Sequence, residues 1–269
     1  MSMLLQDISI GGYLPASSVL HRLDPRTKLA GFGLLLVCTF STGSIQALIF
    51  NAAAIVGIVC VSGIGFRVWW WGLARFSWML VITAALNAFL HKSGAPFFLM
   101  GHELPLTYEG TLTSMLFVAN LAQAVLLSMA LTFTTTPRDL TRGCQRLAGP
   151  LKRFRVPVDE IGVVLLLAMR FVPLLQLELR SIIDAQESRG IDFHYGGIAA
   201  RARNLAAVLV PALLGALRRG DLLADAMAAR GFRPAAARSD FNPLRFSRLD
   251  RLALVSLVVF FLCRVCVFK

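Results

Sequence analysis

The class of fold is decided by residues 66–90, which read FRVWWWGLARFSWMLVITAALNAFL. A transmembrane helix needs about 20 mostly apolar residues, and this stretch is long enough to supply them. Trp69, Trp70 and Trp71 cluster near its start, where aromatic residues are typical of a membrane interface. The whole chain agrees, because 57% of its 269 residues are hydrophobic and its mean hydropathy is +0.68. Soluble domains contain about 45–50% apolar residues, so the sequence predicts a membrane protein.

Four further apolar runs accompany this stretch. They are residues 29–40, 45–65, 107–135 and 252–268. The first run is short, but Lys28 can extend it by placing its amine at the membrane interface. Residues 91–106 contain Gly and Pro and are predicted to form a loop. The predicted fold class is all-α: a polytopic membrane protein with about five transmembrane helices and a cytoplasmic coupling region of long helices.

Basic residues concentrate between Arg138 and Arg251. This stretch contains 19 of the 27 Lys and Arg residues and 11 of the 15 acidic residues, so it carries +8 of the net charge of +12. Loops rich in Lys and Arg remain on the cytoplasmic side, which places this stretch and the N-terminus in the cytoplasm. The sequence predicts a cytoplasmic N-terminal segment at residues 1–27 and four transmembrane helices at residues 28–136. A cytoplasmic coupling domain with two long helices follows at residues 137–250, and a final transmembrane helix at residues 251–269.

Two long helical patterns are predicted in the coupling domain, over residues 158–190 and 199–231. The first contains too many charged residues for a span that faces lipid. Both patterns are apolar along one stripe and are expected to lie against the membrane face. A rival interpretation takes their apolar parts, residues 161–177 and 205–217, as two further spans, which raises the number of spans to six or seven.

A short repeat ends both long patterns. Residues 184–191 read DAQESRGI and residues 225–232 read DAMAARGF, with four of eight positions identical. Gly190 and Gly231 are predicted to be the left-handed residues of helix C-caps. A cap does not explain the Asp-Ala pair that both copies share, so the helix ends are interpreted as two docking surfaces for one kind of partner. The residues concerned are Asp184, Ala185, Ser188, Arg189, Gly190, Asp225, Ala226, Ala229, Arg230 and Gly231.

Two parts of the sequence together resemble a known family. One is residues 11–29, GGYLPASSVLHRLDPRTKL, and the other is the pair of Arg-Gly helix ends. They resemble the transmembrane (T) component of energy-coupling factor (ECF) transporters, the EcfT/CbiQ family, over nearly the whole chain. The N-terminal motif consists of Asp24, Pro25, Arg26, Thr27 and Lys28. Asp24 directly before Pro25 predicts a helix N-cap, with proline at the first helical position.

The resemblance implies a non-catalytic scaffold in an ABC-type importer. Two cytoplasmic ATPases would dock on the helix ends, and a membrane S component would bind the substrate, a vitamin or a transition-metal ion. The implied docking residues are Ser188, Arg189, Gly190, Ala229, Arg230 and Gly231, with Ser188 in place of the usual Ala. This difference, and that between Ile191 and Phe232, favours two different ATPases. ATP would be bound by the ATPases, so no cofactor is expected on this chain, which would lie in the cell (inner) membrane of a prokaryote.

The sequence offers no catalytic machinery of its own. It contains neither a G-x-x-x-x-G-K-[ST] phosphate loop nor a G-x-S-x-G nucleophile motif. The histidines match no zinc spacing, and the low charged fraction of 16% argues against a nucleic-acid partner. No catalytic or metal-binding residue is therefore predicted. Two alternatives remain: a self-contained transporter or channel, which needs ionisable residues along a pathway, and a membrane-bound enzyme acting on lipids, which needs clustered acids or histidines.

Overall fold

The computed structural model describes residue 14 and residues 18–41, 43–90, 96–99, 102–193, 197–233 and 246–267. Most of the predicted N-terminal segment therefore lies outside the described residues, together with His91, His194 and the end of the last predicted span. The helices are α1 (Val19–Arg22), α2 (Pro25–Phe40), α3 (Ile45–Val61), α4 (Phe66–Leu90), α5 (Tyr108–Thr134), α6 (Pro137–Leu147), a 3-10 helix (Gly149–Phe154), α7 (Val158–Ser188), α8 (Ile198–Ala229) and α9 (Arg248–Val267). The chain is an all-α membrane protein, as predicted.

Part of the predicted loop between α4 and α5 forms a short antiparallel pair of strands. These strands are β1 (Pro96–Leu99) and β2 (His102–Thr107), and Phe97 pairs with Leu104. The Gly and Pro residues of this stretch predicted a loop, whereas the adjacent Phe97 and Phe98 favour extended backbone. The pair does not change the fold class, because the remaining elements are helical.

Two helices of the described residues are long and apolar enough to cross a membrane. They are α4 and the Gly110–Thr134 part of α5, while α3 is a shorter apolar helix. None of the most apolar part of α4 is buried inside the chain, compared with a third of that of α5. Helix α4 therefore presents its apolar surface to its surroundings, and α5 lies more centrally. The count of about five spans stays a prediction.

Contacts divide the chain into two compact units. The first unit contains the described residues 145–193 and 197–233, and the second contains the described residues from 14 to 144 and from 246 to 267. Within the second unit, α5 packs against α2, α3 and α4, and α9 packs against α2. Within the first unit, α7 packs against α8. The division into membrane and cytoplasmic segments stays a prediction.

The core of the second unit is apolar and is centred on α5. Its buried residues are Leu20, Phe32, Leu35, Ile55, Trp69, Leu127, Met129 and Ala130. Trp69 is only 3% exposed and meets the Phe133 ring edge-on at 5.7 Å, whereas Trp70 is 62% exposed. The three adjacent tryptophans thus divide between the core and the outer surface. One of them is a packing residue rather than part of an interfacial belt.

Candidate functional site

The first candidate docking surface is the end of α7, which closes in a Schellman cap. The Gly190 N–H donates to the Glu187 carbonyl at 2.9 Å, and the Ile191 N–H donates to the Gln186 carbonyl at 3.1 Å. Gly190 has a φ of +86°, a left-handed conformation in which a Cβ would be strained. The cap therefore satisfies the Gln186 and Glu187 carbonyls with backbone N–H groups alone.

The end of α8 has the same geometry. The Gly231 N–H donates to the Ala228 carbonyl at 2.9 Å, and the Phe232 N–H donates to the Met227 carbonyl at 3.0 Å. Gly231 has a φ of +72°. The prediction that the repeated sequence forms two helix C-caps is confirmed, because both copies make the same two hydrogen bonds around a left-handed glycine.

An arginine directly follows the last residue of each helix, at the C-cap position. Arg189 and Arg230 have nearly identical backbone angles, with φ of −84° and −85°. Both side chains are exposed, and neither guanidinium has a partner among the residues that the structure describes. The other predicted docking residues are exposed as well: Asp184, Ala185, Ser188, Gly190, Asp225, Ala226, Ala229 and Gly231. The structure thus places all of them on the surfaces of two matched helix ends.

The departure of Ser188 from the Ala-Arg-Gly pattern changes little on the surface. Its hydroxyl donates to the Asp184 carbonyl at 2.9 Å, one turn earlier in the same helix. A hydroxyl that bonds to its own helix is less available to an outside partner. Ser188 therefore resembles Ala229 more closely in the structure than in the sequence, and this weakens the argument that the two ends differ.

The relative direction of α7 and α8 follows from two side-chain contacts between them. The Gln186 side-chain amide donates to the Ala207 carbonyl at 3.2 Å, and Arg219 forms an ion pair with Glu178 at 2.9 Å. The contact nearer the end of α7, at Gln186, is the one nearer the start of α8. The two helices therefore run antiparallel. Each arginine tip lies 11 residues beyond this ion pair. At 1.5 Å per residue the tips extend about 16 Å from it in opposite directions.

The structure places the N-terminal motif in the other unit, at the start of α2. The Asp24 carboxylate accepts the Arg26 N–H at 2.9 Å, and Pro25 occupies the first turn, which confirms the predicted N-cap. The Lys28 amine donates to the Thr134 carbonyl at 2.9 Å, at the end of α5. Asp24, Thr27 and Lys28 are all buried. This motif therefore joins helix ends inside the protein and does not form part of the exposed helix tips.

Asp250 completes this junction, although it was not recognised in the sequence. Its carboxylate is 1% exposed and accepts the Asp24 N–H at 2.7 Å and the Ser247 N–H at 2.8 Å. The second bond is half of a capping box at the start of α9, and the spacing Ser-x-x-Asp before an apolar run is a signal for it. The bond to Asp24 has no local signal, because the two residues are 226 positions apart.

The chain is similar to known proteins over most of its length. The family described as "CbiQ: Cobalt transport protein" matches residues 16–241. The chain is 34% identical over 256 residues to a protein of Leuconostoc gelidum subsp. gasicomitatum, covering 95% of each chain. It is 36% identical over 252 residues to one of Thermosediminibacter oceani, covering 94% of each chain. It is 32% identical over 257 residues to one of Bacillus subtilis, covering 95% of this chain and 96% of the relative.

All three relatives carry the name "Energy-coupling factor transporter transmembrane protein EcfT". The family match and the three alignments each extend over most of the chain, including both compact units. The chain therefore belongs to the EcfT/CbiQ family of transmembrane components of energy-coupling factor transporters.

Proposed function

We propose that this chain is the energy-coupling scaffold of an ABC-type importer and that two cytoplasmic ATPase subunits dock on the ends of α7 and α8. The observation that carries this proposal is the pair of matched caps, each with an exposed and unpartnered arginine among the described residues. An arginine held by a rigid cap can form a two-pronged hydrogen bond to a carboxylate or to carbonyl groups at small entropic cost.

The geometry of α7 and α8 is suited to transmit motion. Each is a continuous helix, of 31 and 32 residues, even though Pro173 and Pro211 lie inside them. The two helices meet around the Glu178–Arg219 ion pair, and Gly215 permits the close approach of Glu178 there. Two ATPases that move together and apart would displace the tips as levers about this contact. In this proposal, ATP hydrolysis drives the tips and the helices carry the movement.

The remaining roles are assigned to partners. An S component in the membrane would bind the substrate, a vitamin or a transition-metal ion, and the ATPases would bind and hydrolyse ATP. This chain would then be a non-catalytic subunit without a cofactor in the cell membrane of a prokaryote. Its N-terminus and the α7–α8 unit would be cytoplasmic, because the stretch from Arg138 to Arg251 carries most of the positive charge.

A charge reversal at both tips tests the docking proposal. The variant Arg189→Glu with Arg230→Glu should no longer co-purify with the ATPases, since an exposed carboxylate would replace each cation at the contact. The matched control is Arg218→Glu, because Arg218 is also an exposed arginine of α8 but does not lie in the cap. Co-purification should survive in the control. An intact complex from the double variant would contradict the proposal.

Single variants distinguish identical from different ATPases. If the two ATPases differ, Arg189→Glu and Arg230→Glu should each release a different subunit, which mass spectrometry of the purified complex would identify. If the ATPases are identical, each single variant should reduce the amount of the same subunit. Retention of the S component in all variants would show that the membrane unit remains folded and assembled.

A further inference from the structure

The end of α6 and the residues after it form an exposed surface, which we call the 147–155 segment. It contains the end of α6, the 3-10 helix Gly149–Phe154 and Arg155. Leu147, Leu151 and Phe154 are 44%, 47% and 81% exposed. Residues three apart lie on the same face of a 3-10 helix, so Leu151 and Phe154 form one apolar edge. This edge has no covering element among the described residues.

Cationic side chains flank the apolar edge. Lys152 forms an ion pair with Asp159 at 2.7 Å, so its charge is largely compensated. Arg153 and Arg155 stand on either side of Phe154 in the sequence, are exposed and have no partner within the part of the chain that the structure describes. The surface therefore combines an exposed aromatic ring with two uncompensated positive charges.

The backbone at Arg155 adopts a conformation that is uncommon for residues other than glycine. Its φ is +62°, and among the described residues it is the one non-glycine residue with a positive φ. After helices α3, α7 and α8, the glycines Gly63, Gly190 and Gly231 adopt this conformation without a Cβ penalty. Arginine is disfavoured here, and strained backbone of this kind concentrates at functional positions. A long cation is thus held where glycine would be more stable.

We propose that the 147–155 segment docks on the anionic surface of the lipid bilayer. Phe154 and Leu151 would enter the boundary between headgroups and acyl chains, and Arg153 and Arg155 would bind lipid phosphates. An apolar edge flanked by arginines matches this layered environment, in which charge lies above apolar chains. A protein surface would instead have to supply a pocket for Phe154 and acidic partners beside it.

The segment follows closely, along the chain, a residue that packs against the start of a predicted span. Earlier in α6, Gly143 packs so tightly against α2 that an added Cβ would lie 2.9 Å from the Leu29 side chain and 3.1 Å from that of Pro25. Leu29 begins the first predicted span. The segment starts at Leu147, four residues after Gly143 along the same helix. The docking of this segment does not depend on the ATPase contacts proposed above.

Depth measurements on the full-length chain test this proposal. In a variant without native cysteines, a nitroxide label is attached at Phe154→Cys or, as the control, at Ala228→Cys on the exposed end of α8. Both proteins are placed in nanodiscs of phosphatidylcholine, alone or mixed with phosphatidylglycerol. Collision rates with oxygen and with a water-soluble nickel complex then report immersion. We expect position 154 to be immersed in the anionic nanodiscs and position 228 to remain in water.

Two arginine variants examine the role of charge. Arg153→Gln and Arg155→Gly should each lower the ratio of immersed to water-exposed label at position 154 about five-fold, since one basic residue near an anionic surface contributes that factor. Arg155→Gly should also keep or raise the melting temperature, because glycine suits the positive φ. A purely structural role for Arg155 predicts no change in immersion.

Three outcomes would overturn the proposal. The label at position 154 could remain in water in both kinds of nanodisc, or it could be immersed equally in both, which would show that charge is not used. It could also become protected only when partner subunits are added, which would identify the segment as a protein-binding surface.

Discussion

The N-terminal motif and the Arg-Gly helix ends are the two features that mark this sequence, yet the structure treats their polar groups in opposite ways. In the motif, Asp24 and Lys28 are buried, and both are hydrogen-bonded inside the protein. At the helix ends, backbone groups bond within each cap, while Arg189 and Arg230 are exposed and unpartnered among the described residues.

This difference separates residues that build the fold from residues available to a partner. A buried donor or acceptor that loses its hydrogen bond costs about 1–3 kcal/mol, so the residue types around Asp24 are constrained by folding. Replacing Arg189 or Arg230 leaves no buried group without a hydrogen bond, because both side chains are exposed and the cap bonds join backbone groups. Substitutions at the motif should therefore change stability, whereas substitutions of the exposed arginines should change partner binding.

Removing the buried carboxylate of Asp250 should have the largest effect. Asp250→Ala leaves the Asp24 and Ser247 N–H groups without their acceptor, which should lower the free energy of unfolding by about 3 kcal/mol. Thermal unfolding in detergent measures this loss. The control is Asp225→Ala, at an exposed carboxylate of α8, which should change stability by less than about 0.5 kcal/mol. Equal melting temperatures for the two variants would contradict a stabilising role for the Asp250 hydrogen bonds.

Alanine at either capping glycine should have an intermediate effect. Gly190→Ala and Gly231→Ala place a Cβ in the left-handed conformation, which costs about 1–2 kcal/mol each. The matched control is Gly220→Ala inside α8, where an added Cβ meets open space. That change should raise stability by about 0.5–1 kcal/mol, because alanine favours the helix. If all three substitutions changed the free energy of unfolding in the same direction, the result would contradict the left-handed caps at Gly190 and Gly231.

The exposed ion pair between Lys152 and Asp159 should contribute about 0.5 kcal/mol or less. The hydrogen bond from Lys152 holds the pKa of Asp159 below its ordinary value of 3.8. This contribution is therefore present above that value and disappears as the pH falls through the lower pKa of the folded state. The melting temperature of Asp159→Asn should lie slightly below that of the parent near neutral pH, and the difference should vanish in acid.

Removing both tip arginines should leave stability almost unchanged. The variant Arg189→Ala with Arg230→Ala should keep its free energy of unfolding within about 0.5 kcal/mol, since both side chains are exposed. It should nevertheless lose the ATPases on co-purification. A large fall in melting temperature would mean that the arginines support the fold, and the comparison between the two regions would then fail.

Much of the helical layout was predictable because its signals are local. The predicted patterns at residues 158–190 and 199–231 became helices Val158–Ser188 and Ile198–Ala229. Asp24 before Pro25 marked the start of α2, and the two glycines marked the ends of α7 and α8. Each of these signals acts within one helical turn.

Other features had no local signal or a competing one. Helix α6, the 3-10 helix and the strand pair were not predicted, since Gly and Pro residues in these stretches indicate loops. The exposure of the Phe154 side chain was also not predictable. It depends on how the surrounding elements pack and not on the residue type.

The sequence by itself determined the membrane character, the positions of the long helices and the geometry of their caps, because hydropathy and backbone preferences act over short distances. Only the tertiary structure decided that Asp250 binds the backbone of Asp24 and that α7 and α8 run antiparallel, with their tips directed apart. The physical reason is that burial and hydrogen bonding between distant segments depend on which surfaces meet when the chain packs.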